Sequence, residues 1–123
     1  MNFELQLIIL PVSDVDRAKA FYVDRAGFHA DHDQRVSDDL RFVQVTPPGS
    51  ACSIAFGEGV TDAEPGSVKG LQLVVDDIEA AHAELTGRGA DVSDIEDLAW
   101  GRFVYFSDPD GNAWAVQQAP PRG

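Results

Sequence analysis

The stretch LQLIILPVSDVDRAKAFYVDRAG, residues 5 to 27, decides the fold, because its pattern returns in residues 71 to 89, LQLVVDDIEAAHAELTGRG. A shift of 63 positions aligns the two copies and places Tyr22 on Leu85. In each copy a β-branched run predicts a strand, and apolar residues then recur at i, i+3 and i+7 as on one face of a helix. The sequence therefore predicts a duplicated strand-to-helix module.

Each predicted helix has a start signal. Ser13 with Asp16, and Asp76 with Glu79, have the spacing of an N-cap side chain and a carboxylate three residues later. A glycine closes each copy, as expected where a helix ends in a left-handed residue. We therefore expect Ser13 and Asp76 to be the N-cap residues of the two helices.

The composition restricts the classes of partner. The 123 residues fit one ordinary domain, and the formal net charge of −12 repels nucleic acid and anionic membrane surfaces. We therefore expect no nucleic acid and no membrane partner. Cys52 is the only cysteine, so no internal disulfide can form. Together with an N-terminal segment that lacks the features of a signal peptide, it favours a cytoplasmic location.

The remaining elements complete two modules, at about residues 1–60 and 66–119 of a single domain spanning 1–123. Turn-rich segments separate the predicted strands, which are residues 28–33, 40–45, 51–56, 68–75, 90–95, 102–106 and 113–117, with the second helix at 77–88. The predicted fold class is α+β, with two βαβββ modules whose sheets curve into a cup and carry the helices on the outer face. The tail, 119–123, is expected to fray.

Three segments carry a family resemblance. They are LPVSDVDRAKAFYVDRAGF (10–28), LVVDDIEAAHAELTGRGADV (73–92) and FSDPDGNAWAVQQ (106–118). Together they resemble the vicinal oxygen chelate superfamily, which includes glyoxalase I, extradiol dioxygenases and the bleomycin resistance proteins. The resemblance implies the duplicated βαβββ fold, frequent dimers and, in the enzymes, a divalent metal that chelates two neighbouring substrate oxygens.

The positions at which this resemblance implies metal ligands carry other residue types here. They correspond to Leu7, Gly70 and Ala115, and to Ser53 or Ala55 on the fourth strand. Such side chains do not provide the converging carboxylate or imidazole donors of a divalent metal site. We therefore expect no metal, no cofactor and no catalytic residues of the family type.

Histidine and cysteine are the other residue types that could carry chemistry. His29 and His32 are three residues apart, which in a regular strand places them on opposite faces, so we expect solvated histidines. Cys52 lies in an apolar run and is expected to be a small core residue. Strand alternation thus leaves no carboxylate or histidine in the cup.

The same alternation, phased by the implied ligand positions, predicts the lining of the cup. Gln72 requires a ligand or a hydrogen-bond partner, either across a dimer or in a loop. Trp100 and Arg102 flank a glycine where a loop could close over the cup, although a hydrophobic plug at the sheet edge is an alternative. Either Arg41 or Gln44 points inward. The candidate ligand-binding residues are Gln72, Trp100, Arg102, Leu7, Ile9, Val74, Ala115 and Gln117, beside Gly70 and Ala113 on the same strand faces.

The sequence favours a metal-free, homodimeric protein that binds a small organic molecule, for example by sequestering a drug or metabolite. One alternative is a lyase, isomerase or dioxygenase of glyoxalase type with a non-standard metal site. Another is an interaction or dimerisation module whose cup is empty.

Overall fold

A computed structural model describes residues 1–120 and contains two βαβββ modules, each with a four-stranded sheet. The first module comprises β1 (Leu7–Ile9), α1 (Val15–Ala20, continued as a π-helical turn Phe21–Arg25), β2 (His29–Ser37), β3 (Leu40–Thr46) and β4 (Ser53–Glu58). The second comprises β5 (Leu71–Val74), α2 (Ile78–Gly87), β6 (Glu96–Leu98), β7 (Gly101–Ser107) and β8 (Ala113–Gln118). The predicted α+β class and duplicated modules are confirmed.

The two sheets have the same topology. The first sheet has the order β1-β4-β3-β2, and the second sheet has the order β5-β8-β7-β6. The first strand of each module pairs in parallel with the last, and the other pairs are antiparallel. Neither sheet closes on itself, so β1 and β5 each lie at an edge.

Both helices begin one residue later than predicted. The Asp14 carboxylate accepts a hydrogen bond from the backbone N–H of Arg17 at 3.0 Å, and Asp77 caps α2 in the same way. Ser13 is not the cap, because its hydroxyl donates to Asp110 of the second module at 2.6 Å. The capping residues are thus aspartates in both copies.

Two strands differ from the prediction. The polar segment 34–39 was expected to separate strands, but β2 runs through it to Ser37, since an exposed edge strand does not need apolar alternation. The predicted strand at 90–95 is wrong, because the ladder with β7 forms only at Glu96–Leu98. Ala90, Val92 and Ile95 nevertheless pack against the core, which explains their apolar pattern.

The core is one cluster to which both modules contribute. Its buried residues come from both helices and from the helix-covered faces of both sheets: Leu10, Val15, Ala18, Tyr22, Phe28, Val43, Val45, Ile54, Phe56, Leu71, Ile78, Leu85, Val104, Phe106, Trp114 and Val116. Because both sheets turn one face toward this cluster, their other faces point away from it. We call these the open faces.

A buried hydrogen-bond network joins the modules inside the core. The fully buried Tyr22 donates its hydroxyl proton to Asp108 Oδ2 at 2.8 Å and accepts from Trp114 Nε1 at 3.0 Å. Asn112 donates to the same carboxylate oxygen at 2.8 Å and to the carbonyl of Pro11 at 3.0 Å. Burial, reinforced by the Asp108 charge, raises the pKa of Tyr22 far above its ordinary value, so its hydroxyl remains protonated.

Two further expectations concern the C-terminal tail and the membrane. Part of the tail predicted to fray, residues 121–123, lies outside the described residues. Within residues 1–120, none of the helices is long and apolar enough to cross a membrane.

Candidate ligand-binding site

The predicted alternation in β1, β5 and β8 is confirmed. The helix-facing phase contains the buried Leu10, Leu71, Trp114 and Val116 with the partly buried Ile8 and Leu73. The opposite phase lies on the open faces, where Ile9 is 42% exposed and Val74 is 72% exposed. The open faces therefore present apolar side chains to solvent.

A chain of amide hydrogen bonds runs across the open face of the second sheet. Gln72 Nε2 donates to Gln117 Oε1 at 2.9 Å, and Gln117 Nε2 donates to the carbonyl of Trp100 at 2.9 Å. Gln72 lies opposite Ala115 in the β5–β8 ladder, with Val74 on the same face. The structure thus brings together five of the residues that the sequence suggested.

Tyr105 and Phe103 belong to this open face and were missed. They lie opposite Ala115 and Gln117 in the β7–β8 ladder, and their rings stack at 6.0 Å with an angle of 4° between the planes. Tyr105 is 36% exposed and Phe103 is buried. Alternation along β7 from the adjacent core residues was the signal that could have identified them.

Arg102 does not join Gln72. Its guanidinium contacts Asp97 at 2.7 Å and Glu79 of α2 at 3.5 Å, on the helix-covered side of the second sheet. Trp100, in contrast, lies in the turn between β6 and β7 with 62% of its surface exposed. Arg102 therefore lies on the other side of the sheet from Gln72, whereas the backbone carbonyl of Trp100 contacts Gln117 of the open face.

The open face of the first sheet is more polar. Ser53 lies opposite Leu7 in the parallel β1–β4 pair, and its hydroxyl is 2.7 Å from that of Thr46. Thr46 in turn donates to Asp31, which also accepts from Gln44 at 3.3 Å. The hydrogen bond from Thr46, with a second from His29, lowers the pKa of Asp31, so its carboxylate is charged at neutral pH.

A β-bulge in β2 overturns the expected placement of the histidines. His29 lies opposite Thr46 and His32 lies opposite Gln44, with a register shift between them. Because Thr46 and Gln44 are two residues apart on β3, both histidines face the same side of the sheet. The expectation that the open faces lack carboxylates and histidines is therefore wrong.

The orientation of β3 is also settled. Arg41 donates to Asp33 at 2.9 and 3.0 Å and to Asp16 of α1 at 2.9 Å, so it lies on the helix-covered side. Gln44 has the opposite phase and bonds Asp31. Of the two residues, Gln44 is thus the one on the open face of the first sheet.

A groove lies between the modules where the β3–β4 loop approaches β5. It consists of two adjoining depressions of about 270 and 220 Å³, both lined by Pro47, Ser50, Gln72 and Leu73. Cys52 lines the larger one and is only partly buried, which corrects its expected place in the core. Gln72 therefore borders both the groove and the open face.

The residues at the implied metal positions do not fit a divalent ion. Leu7 and Ala115 have no donor atoms in their side chains, and the Ser53 hydroxyl is bonded to Thr46. In residues 1–120, no group of three or more His, Cys, Asp or Glu side chains is placed to hold a metal. The open faces instead offer amides, hydroxyls, imidazoles, carboxylates and apolar surface.

The fold, the repeat and the open sheet faces define a class of protein. The model of the glyoxalase/bleomycin resistance protein/dioxygenase superfamily matches residues 4–116. The chain belongs to this superfamily.

Individual relatives are similar over nearly the whole chain. The crystal structure of TnmS3, an antibiotic binding protein from Streptomyces sp. CB03234, is 39% identical, covers 97% of this chain and 98% of its own, and has a TM-score of 0.85. The crystal structure of a superfamily member from Sphaerobacter thermophilus DSM 20745 is 33% identical in sequence and has a TM-score of 0.80. The match covers 95% of this chain and 98% of that protein's chain. The uncharacterized protein YetH of Bacillus subtilis (strain 168) is 20% identical, over 94% of this chain and 98% of its own length.

Proposed function

We propose that this protein binds a small organic molecule on its open sheet faces without a metal ion, and that it sequesters the molecule rather than transforming it. The observation that carries the proposal is the second sheet's open face, where exposed Val74 and Tyr105 lie beside the chain from Gln72 through Gln117 to Trp100. Small-molecule sites combine apolar surface with a few oriented polar groups. The similarity to an antibiotic-binding protein supports the same class of ligand.

The proposed ligand is a planar molecule with a hydrogen-bonding edge. The exposed rings of Tyr105 and Trp100 suit a flat apolar body. On the first sheet, the charged Asp31 carboxylate suits a donor or cationic group of the ligand. Its lowered pKa makes it a weak proton acceptor, which favours binding over acid–base catalysis.

We further propose that the binding unit is a homodimer. The edge strands β1 and β5 have unpaired outer sides, and large apolar side chains are exposed near them, including Phe3 at 88%, Leu5 at 68% and Val74 at 72%. Exposed edges and apolar patches of this kind favour association with a second copy.

The test is a tryptophan-fluorescence screen of planar antibiotics and metabolites, followed by titration of the best ligand. Trp114 is 3% exposed and Trp100 is 62% exposed, so ligand-dependent changes should arise mainly from Trp100. Gln72→Leu should weaken binding by about 1–3 kcal/mol, because a polar group of the ligand loses its partner. Trp100→Ala should cost a similar amount through lost ring contact, measured by calorimetry.

Arg102→Ala is the matched control, because Arg102 lies near Trp100 in sequence but on the helix-covered side. It should bind like the wild type. Equal affinity in wild type, Gln72→Leu and Trp100→Ala would contradict the proposed site. If no compound in the screen binds, the result would favour an interaction module instead.

A further inference from the structure

Two arginines meet at the junction of the modules, on a surface that the proposed function does not use. Arg25 ends the π-helical turn after α1, and Arg88 caps the end of α2, 63 positions later. Arg25 Nη1 donates to the carbonyl of Arg88 at 3.0 Å, and Arg88 Nη1 donates to the carbonyl of Asp24 at 3.4 Å. Each guanidinium thus satisfies a carbonyl at the end of the other helix.

The close approach depends on a glycine after each helix. A Cβ atom at Gly27 would lie 3.0 Å from Arg88 Cζ, and one at Gly89 would lie 2.0 Å from Arg25 Nη1. Each guanidinium therefore lies against the backbone of the other module, where it already makes one hydrogen bond. An arginine positioned in this way loses less conformational entropy when it binds a ligand.

Within the described part of the chain, Arg25 and Arg88 differ from the other arginines in having no carboxylate oxygen within 4.0 Å. Among residues 1–120, every other arginine has a carboxylate oxygen within 4.0 Å. Both guanidinium groups line one depression, where their like charges repel each other, although the protein has a net charge of −12 and abundant carboxylates. An anion between them would relieve this repulsion.

Both arginines line the same depression of the surface. A depression of about 310 Å³ is lined by both arginines and by Arg17, Phe21 and Pro109, together with Ala20 and Asp24. A guanidinium has five N–H donors in a planar fork that matches the oxygens of an oxoanion. The bonds to the helix carbonyls use one N–H of each guanidinium and leave the rest for a ligand.

We propose that Arg25 and Arg88 form an anion site that binds a phosphate, sulfate or carboxylate group, with Phe21 and Pro109 contacting an apolar part of the same molecule. The structural alternative is that the arginines only join the helix ends. That role needs one donor from each and predicts no saturable anion binding.

The test is a titration of the 123-residue chain with inorganic phosphate, and separately with phenyl phosphate, at constant ionic strength. The arginine Nε–Hε resonances are followed by NMR. Those of Arg25 and Arg88 should shift saturably, and phenyl phosphate should bind more tightly because of the apolar wall. Arg25→Gln/Arg88→Gln should weaken phosphate binding about tenfold or more, since charge-assisted hydrogen bonds are lost.

Lys69→Gln is the matched control, because the Lys69 ammonium donates to the carbonyl of Gly111 and has no carboxylate within 4.0 Å in residues 1–120. It should leave phosphate binding unchanged. Linear shifts spread over all arginines of the wild type would indicate an adventitious ion only and overturn the proposal, as would equal affinity in the folded double variant. Binding of the open-face ligand by the double variant should be unchanged, which separates this proposal from the previous one.

Discussion

Replacing Tyr22 with Phe removes one oxygen from the network that joins the modules. The hydroxyl is fully buried, donates to Asp108 Oδ2 at 2.8 Å and accepts from Trp114 Nε1 at 3.0 Å. The ring contacts with Phe28 and Phe56 should survive, so the change isolates the hydrogen bonds. Asn112 still donates to Asp108, whereas the buried indole N–H of Trp114 loses its acceptor.

The expected loss follows from these two bonds. A hydrogen bond to a carboxylate contributes about 1.5–3 kcal/mol, and an orphaned buried donor costs about 1–3 kcal/mol. Because Asn112 compensates Asp108 in part, we expect the free energy of unfolding to fall by about 2–4 kcal/mol. Urea denaturation followed by circular dichroism measures the change.

Tyr105→Phe is the control, since Tyr105 is the other tyrosine and lies on an open face with 36% exposure. Its effect should stay within about 0.5 kcal/mol. A loss below about 1 kcal/mol for Tyr22→Phe would refute the view that this hydroxyl holds the modules together.

Three further outcomes can be measured independently. Hydrogen bonds from Arg41, and then from Lys19, lower the pKa of Asp33. The two ion pairs therefore stabilise the fold above about pH 4, and this stabilisation is lost as the pH falls. Asp33→Asn should lower the free energy of unfolding by less than about 1 kcal/mol at neutral pH, and it should flatten the acid limb, which is the fall in urea stability at low pH. An unchanged acid limb would contradict this. Sedimentation equilibrium should give the mass of a dimer, and a monomer at micromolar concentration would exclude the proposed homodimer. Elemental analysis after dialysis against excess zinc, nickel, manganese or iron should find no stoichiometric metal, and one retained equivalent per chain would disprove metal-free binding.

The regular parts of the fold could be predicted because their patterns are periodic. The 63-residue repeat identifies the modules, and alternation assigns the faces of β1, β5 and β8. Arg102 could also have been placed, since it shares its phase on β7 with the buried Val104 and Phe106. Its position near Trp100 in sequence favours a shared loop, whereas alternation along β7 places it with the core-facing residues.

The remaining errors have physical causes that a single sequence does not display. The bulge in β2 lies in an exposed edge strand, where no apolar alternation reveals a change of phase. Residues 90–95 have the composition of a strand and pack their apolar side chains on the core, but they form no continuous ladder with β7 beyond a backbone bond from Ser93 to the carbonyl of Tyr105. The Tyr22 network depends on contacts between positions far apart in the chain, and its only local sign is a tyrosine where the second copy has Leu85.

The bulge in β2 also affects how this surface can change during evolution. Regular alternation would place one of the two histidines on the helix-covered side. The extra residue of the bulge places it on the open face instead, while the residues on both sides of the bulge remain paired with β3. A one-residue insertion or deletion there exchanges the exposed set of side chains without touching the core, whereas the same event in β4, buried along most of its length, would move core residues into solvent. The side chains that this edge exposes can therefore change through length changes as well as through substitutions.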